Sequence, residues 1–136
     1  AILKKFLLYR TYHGCAMAPP VQLASTAAWN DEAHVLDNRN QYREKFAACT
    51  PLIGEVLGTR MPDASFYLWA RTPVTDTEFA RGLLEHYNVV VLPGSFLARE
   101  VKDINPGANF VRIALVASAA ECLDAASRIR RFAQQL

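Results

Sequence analysis

The chain has 136 residues, of which 51% are hydrophobic and 21% charged, with 15 Lys and Arg against 13 Asp and Glu for a formal charge of +2. The basic residues are scattered, so there is no basic stripe of the kind that tracks a phosphate backbone, and nucleic acid is not an expected partner. The first apolar run, over residues 2–8, is interrupted by Lys4 and Lys5; no stretch approaches the ~20 apolar residues needed to cross a bilayer, so a soluble chain with one modest core is expected.

Ala1 opens directly into a helix-like run, Ile2-Leu3-Lys4-Lys5-Phe6-Leu7-Leu8-Tyr9, with no capping residue and no signal-peptide layout, which reads as a piece of something longer. Pro19 and Pro20 suit the first turn of a helix, where a missing N–H has no partner to lose. From 21 to 57 helix formers dominate, and Leu23, Ala27, Ala28, Val35, Tyr42, Phe46 and Ala47 fall on a stripe. One long helix, or two in series, is predicted. Thr50-Pro51 is a possible kink and Gly58 a candidate left-handed cap.

The period then changes to two. Ser65, Tyr67 and Trp69 alternate with Phe66, Leu68 and Ala70, predicting an aromatic-rich strand. Asp76 is placed to cap a helix reaching about Tyr87, with Phe79, Leu83, Leu84 and Tyr87 on one face and Asn88 ending it. Val89-Val90-Val91-Leu92 reads as a strand covered on both sides and stopped by Pro93-Gly94. Asn105-Pro106-Gly107 predicts a turn, and residues 110–116 a third strand. Ser118 with Glu121 forms a capping box ahead of a last helix whose Leu123, Ala126, Ile129, Phe132 and Ala133 point inward. The alternation predicts an α/β or α+β layer: a sheet of three or more strands with helices against one face.

Cys15, Cys49 and Cys122 are widely spaced and odd in number, which fits neither a disulfide framework nor a zinc site. A reducing cytoplasm is expected, with Cys49 and Cys122 as small buried hydrophobes. No metal site is expected. His13, His34 and His86 lack a neighbouring nucleophile motif, and the acidic pair Asp31-Glu32 reads as a solvated helix face. Arg112 stands out. In the strand around it, Val111, Ile113 and Leu115 make one wholly apolar face, and Arg112 sits between Phe110 and Ala114 on the other. A guanidinium among apolar neighbours needs a partner if buried, and its planar fork suits a carboxylate. A plain surface arginine, or one paired with a nearby Glu, is the alternative that the strand alone leaves open.

Several segments occur together in order: Tyr9-Arg10-Thr11-Tyr12-His13-Gly14, Ala18-Pro19-Pro20-Val21-Gln22, Ser65-Phe66-Tyr67-Leu68-Trp69, Val91-Leu92-Pro93-Gly94-Ser95-Phe96, and Asn105-Pro106-Gly107 through Val111-Arg112-Ile113-Ala114-Leu115. In these the chain resembles the C-terminal portion of class I/II, fold-type I aminotransferases, and among them bacterial N-succinyldiaminopimelate aminotransferases of the lysine pathway. The resemblance implies a pyridoxal-phosphate enzyme that moves an amino group between an amino acid and a 2-oxo acid, with a large cofactor domain, a small domain and a homodimer with shared active sites. It implies that residues 1–20 end the large domain, 21–58 form the interdomain helical link and 59–136 the small domain. It implies that Arg112 binds the substrate α-carboxylate, with Phe66 packed nearby and Arg10, Tyr12 and His13 approaching the site. The family's cofactor-binding lysine segment has no counterpart here, so neither covalent cofactor binding nor turnover is expected of this chain by itself. The rival expectation is a free-standing, non-catalytic α/β module that binds a carboxylate ligand or a protein partner.

Overall fold

A computed structural model describes residues 1–14 and 16–136, and Cys15 lies outside them. The elements in order are α1 (Ile2–Tyr12), α2 (Pro19–Asn30), α3 (Glu32–Gly54), β1 (Tyr67–Arg71), α4 (Asp76–Tyr87), β2 (Leu92–Pro93), a 3-10 turn (Gly94–Phe96), β3 (Phe110–Ala114) and α5 (Ala119–Ala133). They fall into two units, Ala1–Asp37 and Asn38–Leu136.

In the first unit neither α1 nor α2 buries a residue. Pro19 and Pro20 occupy the first turn of α2 as expected, while Asp31, extended at φ −95° and ψ 91°, separates α2 from α3. The helical segment is therefore two helices in series. Of the expected stripe, Leu23, Ala27, Ala28 and Ala47 are exposed and Val35 and Tyr42 partly covered; Phe46 alone is buried, on the second half of α3. That half buries Lys45, Phe46, Cys49, Thr50 and Ile53, and Pro51 lies inside the helix.

The second unit is organised by a three-stranded antiparallel sheet in the order β1-β3-β2. Tyr67 pairs with Ala114, Leu68 with Ile113, Trp69 with Arg112, Ala70 with Val111 and Arg71 with Phe110, while Leu92 pairs with Arg112 from the other side. Side chains alternate across a strand, so this register collects Leu68, Ala70, Val111 and Ile113 on one face. They join a core with Cys49 and Ile53 of α3, Phe79 and Leu83 of α4, and Cys122, Ala126, Ile129 and Phe132 of α5. Phe79, Leu83 and Ile129 are wholly buried, and the Phe79 and Phe132 rings stand 5.2 Å apart. Helices thus cover one face of the sheet, as the alternation predicted.

Several local expectations are corrected. Gly58 is not a left-handed cap: among the described glycines only Gly14 has positive φ, and the Gly58 carbonyl instead accepts from the Arg71 N–H at 3.2 Å. The cap of α4 is Thr75, whose Oγ1 accepts from the Glu78 N–H, and Asp76 is the first helical residue. Asn88 does end α4 in the left-handed conformation, with φ 52°. Residues 89–91 are outside the ladder, which begins at Leu92, and Val90 is 79% exposed, so this run is an edge rather than a doubly covered strand. Pro93 has no N–H to extend the ladder. The capping box of α5 forms in both directions, Ser118 Oγ accepting from Glu121 N–H and Glu121 Oε2 from Ser118 N–H at 3.0 Å. On α5 Cys122 is buried while Leu123 is exposed, and on α4 Leu84, expected on the inward face, is exposed too.

Candidate carboxylate-binding site

The sheet face opposite the core carries Tyr67, Trp69 and Arg71 from β1 and Phe110, Arg112 and Ala114 from β3. Arg112 lies at its centre, in the middle strand with Trp69 on one side and Leu92 on the other. The side chain is half-buried, and its Nε is buried without a hydrogen-bond partner. Among the described residues no carboxylate pairs with it. A guanidinium keeps its charge at any physiological pH, and a buried donor left unsatisfied costs about 1–3 kcal/mol. The arrangement suits an acceptor that arrives from outside the unit, and a carboxylate supplies two parallel acceptors to that fork.

Aromatic rings line this face. The Trp69 and Phe110 rings stack at 5.6 Å and 12°, and the Arg112 guanidinium carbon lies 5.7 Å from the centroid of the Tyr67 ring. Phe66, just before β1, holds the strand in place through its carbonyl, which accepts from Leu115 N–H at 2.9 Å. Its ring meets Tyr67 edge to face at 5.3 Å. So Phe66 reaches the neighbourhood of Arg112 through Tyr67. It also lines a cleft of about 610 Å³ with Arg39, Tyr42, Arg43 and Met61. A second cleft, about 850 Å³, is lined by residues 58–63 and Trp69.

The loops that frame β3 are tied together by Asp76, which is buried. Its Oδ2 accepts from Ser95 N–H at 2.9 Å and its Oδ1 from Asn109 N–H at 3.3 Å. Burial alone raises the pKa of this carboxyl, but the bonds from Ser95 and Asn109 outweigh it and hold the group below its ordinary value. Asn109, next to Phe110, has φ 63°, and its carbonyl accepts from Thr72 N–H at 2.9 Å, which closes the end of the β1–β3 pair. Gly94 and Gly107 pack backbone to backbone, so that a Cβ on either would strike the other's carbonyl oxygen. Gly107 serves this close approach as well as the expected turn.

Arg10, Tyr12 and His13 lie in the first unit, at the end of α1, and are exposed. Arg10 stands 6.0 Å from the centroid of Phe6, and the Tyr9 and His13 rings are 4.2 Å apart. His34 Nδ1 pairs with Asp31 Oδ2 at 3.0 Å on the surface, and His86 is exposed on α4. Cys49 and Cys122 are buried, as expected, and burial pushes the Cys49 thiol up to about 11. The expectation for Cys15 lies outside the described residues. No helix among them is long and apolar enough to cross a membrane. The residues that the sequence reading missed at the site are Tyr67, whose ring lies beside the Arg112 guanidinium, and Asp76, which ties the loops that frame β3. The aromatic alternation around Tyr67 was the available signal for the first; the second depends on two loops 19 and 33 residues away from Asp76.

The family described as "Aminotransferase class I and II" matches residues 7–129. An aminotransferase from Neisseria meningitidis, solved as a crystal structure, is 55% identical with a TM-score of 0.84, over 93% of this chain and 33% of that one. A probable N-succinyldiaminopimelate aminotransferase from Thermus thermophilus is 35% identical with a TM-score of 0.65, over 79% of this chain and 28% of that one. A probable aminotransferase of Mycobacterium tuberculosis is 31% identical over 94% of this chain and 29% of its own length. The chain therefore spans about a third or less of the proteins it matches.

Proposed function

This chain belongs to the class I and II aminotransferases, and from that premise we propose that it is the C-terminal part of a pyridoxal-phosphate-dependent enzyme in which Arg112 grips the α-carboxylate of the substrate. The observation that carries the reading is the half-buried guanidinium on β3, without a carboxylate partner among the described residues and with its Nε unsatisfied. In transamination the cofactor supplies the electron sink, and the protein must orient the amino acid before a proton leaves Cα. Arg112 does the orienting: two parallel N–H bonds fix the carboxylate plane, and the aromatic face around it limits rotation.

In this reading the remainder of the enzyme holds the cofactor; Lys4 and Lys5 stand on α1, which buries no residue. In this proposal residues 1–20 end the large domain, 21–58 link the domains and 59–136 form the small domain of a cytoplasmic homodimer. Arg10, Tyr12, His13 and Phe66 are the further candidates for contact with substrate. The substrate pair we propose is N-succinyl-LL-2,6-diaminopimelate with 2-oxoglutarate and glutamate, supported by likeness to the Thermus protein, 35% identical over 79% of this chain.

The test is steady-state kinetics of Arg112→Lys and Arg112→Ala in the full-length enzyme. Both variants should raise KM for amino and 2-oxo acids and lower kcat/KM, Ala by about 2–4 kcal/mol in transition-state terms, while cofactor content stays that of the wild type. Unchanged kcat/KM in Arg112→Ala would remove the carboxylate role.

A further inference from the structure

We propose that Tyr67 is a positioning residue for Arg112: its ring face holds the guanidinium in place without an acidic group that would compete with the incoming carboxylate. The inference rests on the Arg112 reading above.

The strand register explains how the two meet. Tyr67 is paired with Ala114, one step along the same face from the Trp69–Arg112 pair. Ala114 is small, so Arg112 can lean over it toward Tyr67, and the guanidinium carbon lies 5.7 Å from the ring centroid. Trp69 is drawn the other way: it stacks on Phe110, and its ring sits over Gly94, where an added Cβ would come within 2.8 Å of it. Tyr67 is itself fixed, by its N–H to Ser65 Oγ at 3.0 Å and by the edge-to-face contact with Phe66 at 84°.

The chemistry explains why a ring serves here. A cation over an aromatic face is attracted by the ring's quadrupole, at a distance limit of about 6 Å. The ring restrains the charge without an acidic group, whereas a carboxylate neighbour would engage the guanidinium's N–H groups and compete with the substrate. An arginine without an acidic partner needs another restraint on its rotamers, because a long flexible side chain loses entropy when a ligand orders it. Tyr67 supplies that restraint.

The test compares Tyr67→Phe, Tyr67→Leu and Tyr67→pentafluorophenylalanine in the full-length holoenzyme, with Arg112→Ala as reference. Phe keeps the negative ring face and should leave KM within about twofold of wild type, whereas Leu should raise KM for both substrates about 3- to 10-fold with a smaller change in kcat. Pentafluorophenylalanine keeps the ring's shape and reverses its quadrupole, so it should behave as Leu does, which a purely structural role would not produce. Should Leu fail to fold, the fluorinated ring decides alone. If Arg112→Ala raises KM but the fluorinated variant matches Phe, this inference fails while the carboxylate reading stands. If Arg112→Ala leaves KM unchanged, the reading beneath it fails first.

Discussion

Replacing Asp76 by Asn should loosen the two loops that frame β3. The carboxylate accepts one N–H at 2.9 Å, from Ser95, and a second at 3.3 Å, from Asn109. The first is at the centre of the ordinary range for N–H···O bonds and the second is slightly beyond it, so most of the energy lies in the Ser95 bond. A bond to a charged acceptor contributes about 1.5–3 kcal/mol, and an amide oxygen at position 76 can keep only one of the two acceptor roles, uncharged. We therefore expect Asp76→Asn to lose ~2 kcal/mol of local stability, about a 30-fold rise in exchange rate at ~1.4 kcal/mol per factor of ten. Amide hydrogen exchange in the full-length enzyme reads this directly in peptides covering Ser95 and Asn109, and peptides from α5 serve as control. The sign with pH follows from the lowered folded-state pKa of Asp76. The group contributes stability that is fully present above the ordinary Asp value of about 3.9 and is lost as pH falls through the lower folded value. Protection of these amides should therefore fall in that acid window in the wild type and stay flat there in Asp76→Asn. Equal exchange in the two proteins at neutral pH would refute the clasp.

Burial pushes the Cys49 thiol up to about 11 and also raises the Cys122 thiol, and both side chains are buried, so a thiol reagent should label them only as fast as the fold opens; rapid stoichiometric labelling of either under native conditions would contradict their placement in the core. Mixing this chain with pyridoxal phosphate should give no specific covalent lysine adduct; borohydride trapping of the cofactor on Lys4 or Lys5, read by mass spectrometry, would put the cofactor lysine on α1 instead of in the remainder of the enzyme.

How far the sequence spoke for itself differs between elements, and the reasons are physical. The α4 stop at Asn88 and the capping box Ser118–Glu121 are local contacts within a few residues, so composition reveals them. The two faces of β3 were equally legible, because strand geometry alone separates Val111 and Ile113 from Arg112. Leu123, expected inward along with Cys122, is 43% exposed, because the side of α5 that faces the core carries Cys122, Ala126 and Ile129. Val90 read as buried because an edge and a central strand look alike in a short apolar run; only the pairing of Leu92 and Pro93 with β3 distinguishes them. The stripe through Leu23, Ala27 and Ala28 has helical spacing, yet all three residues are exposed. For Arg112, periodicity left a surface charge and a ligand arginine both open. What favours the ligand reading is tertiary: the unsatisfied Nε, the ring of Tyr67 and the want of a carboxylate partner among the described residues, none of which is a property of the strand itself.

The central claim is that Arg112 receives the substrate carboxylate. A crystal structure of the full-length enzyme with a bound amino-acid substrate analogue tests it most directly. The account predicts two roughly parallel contacts from the Arg112 guanidinium to the α-carboxylate oxygens, each about 2.7–2.9 Å, with Tyr67 still under the guanidinium. An α-carboxylate bound by other residues, with Arg112 turned away from it, would contradict the account.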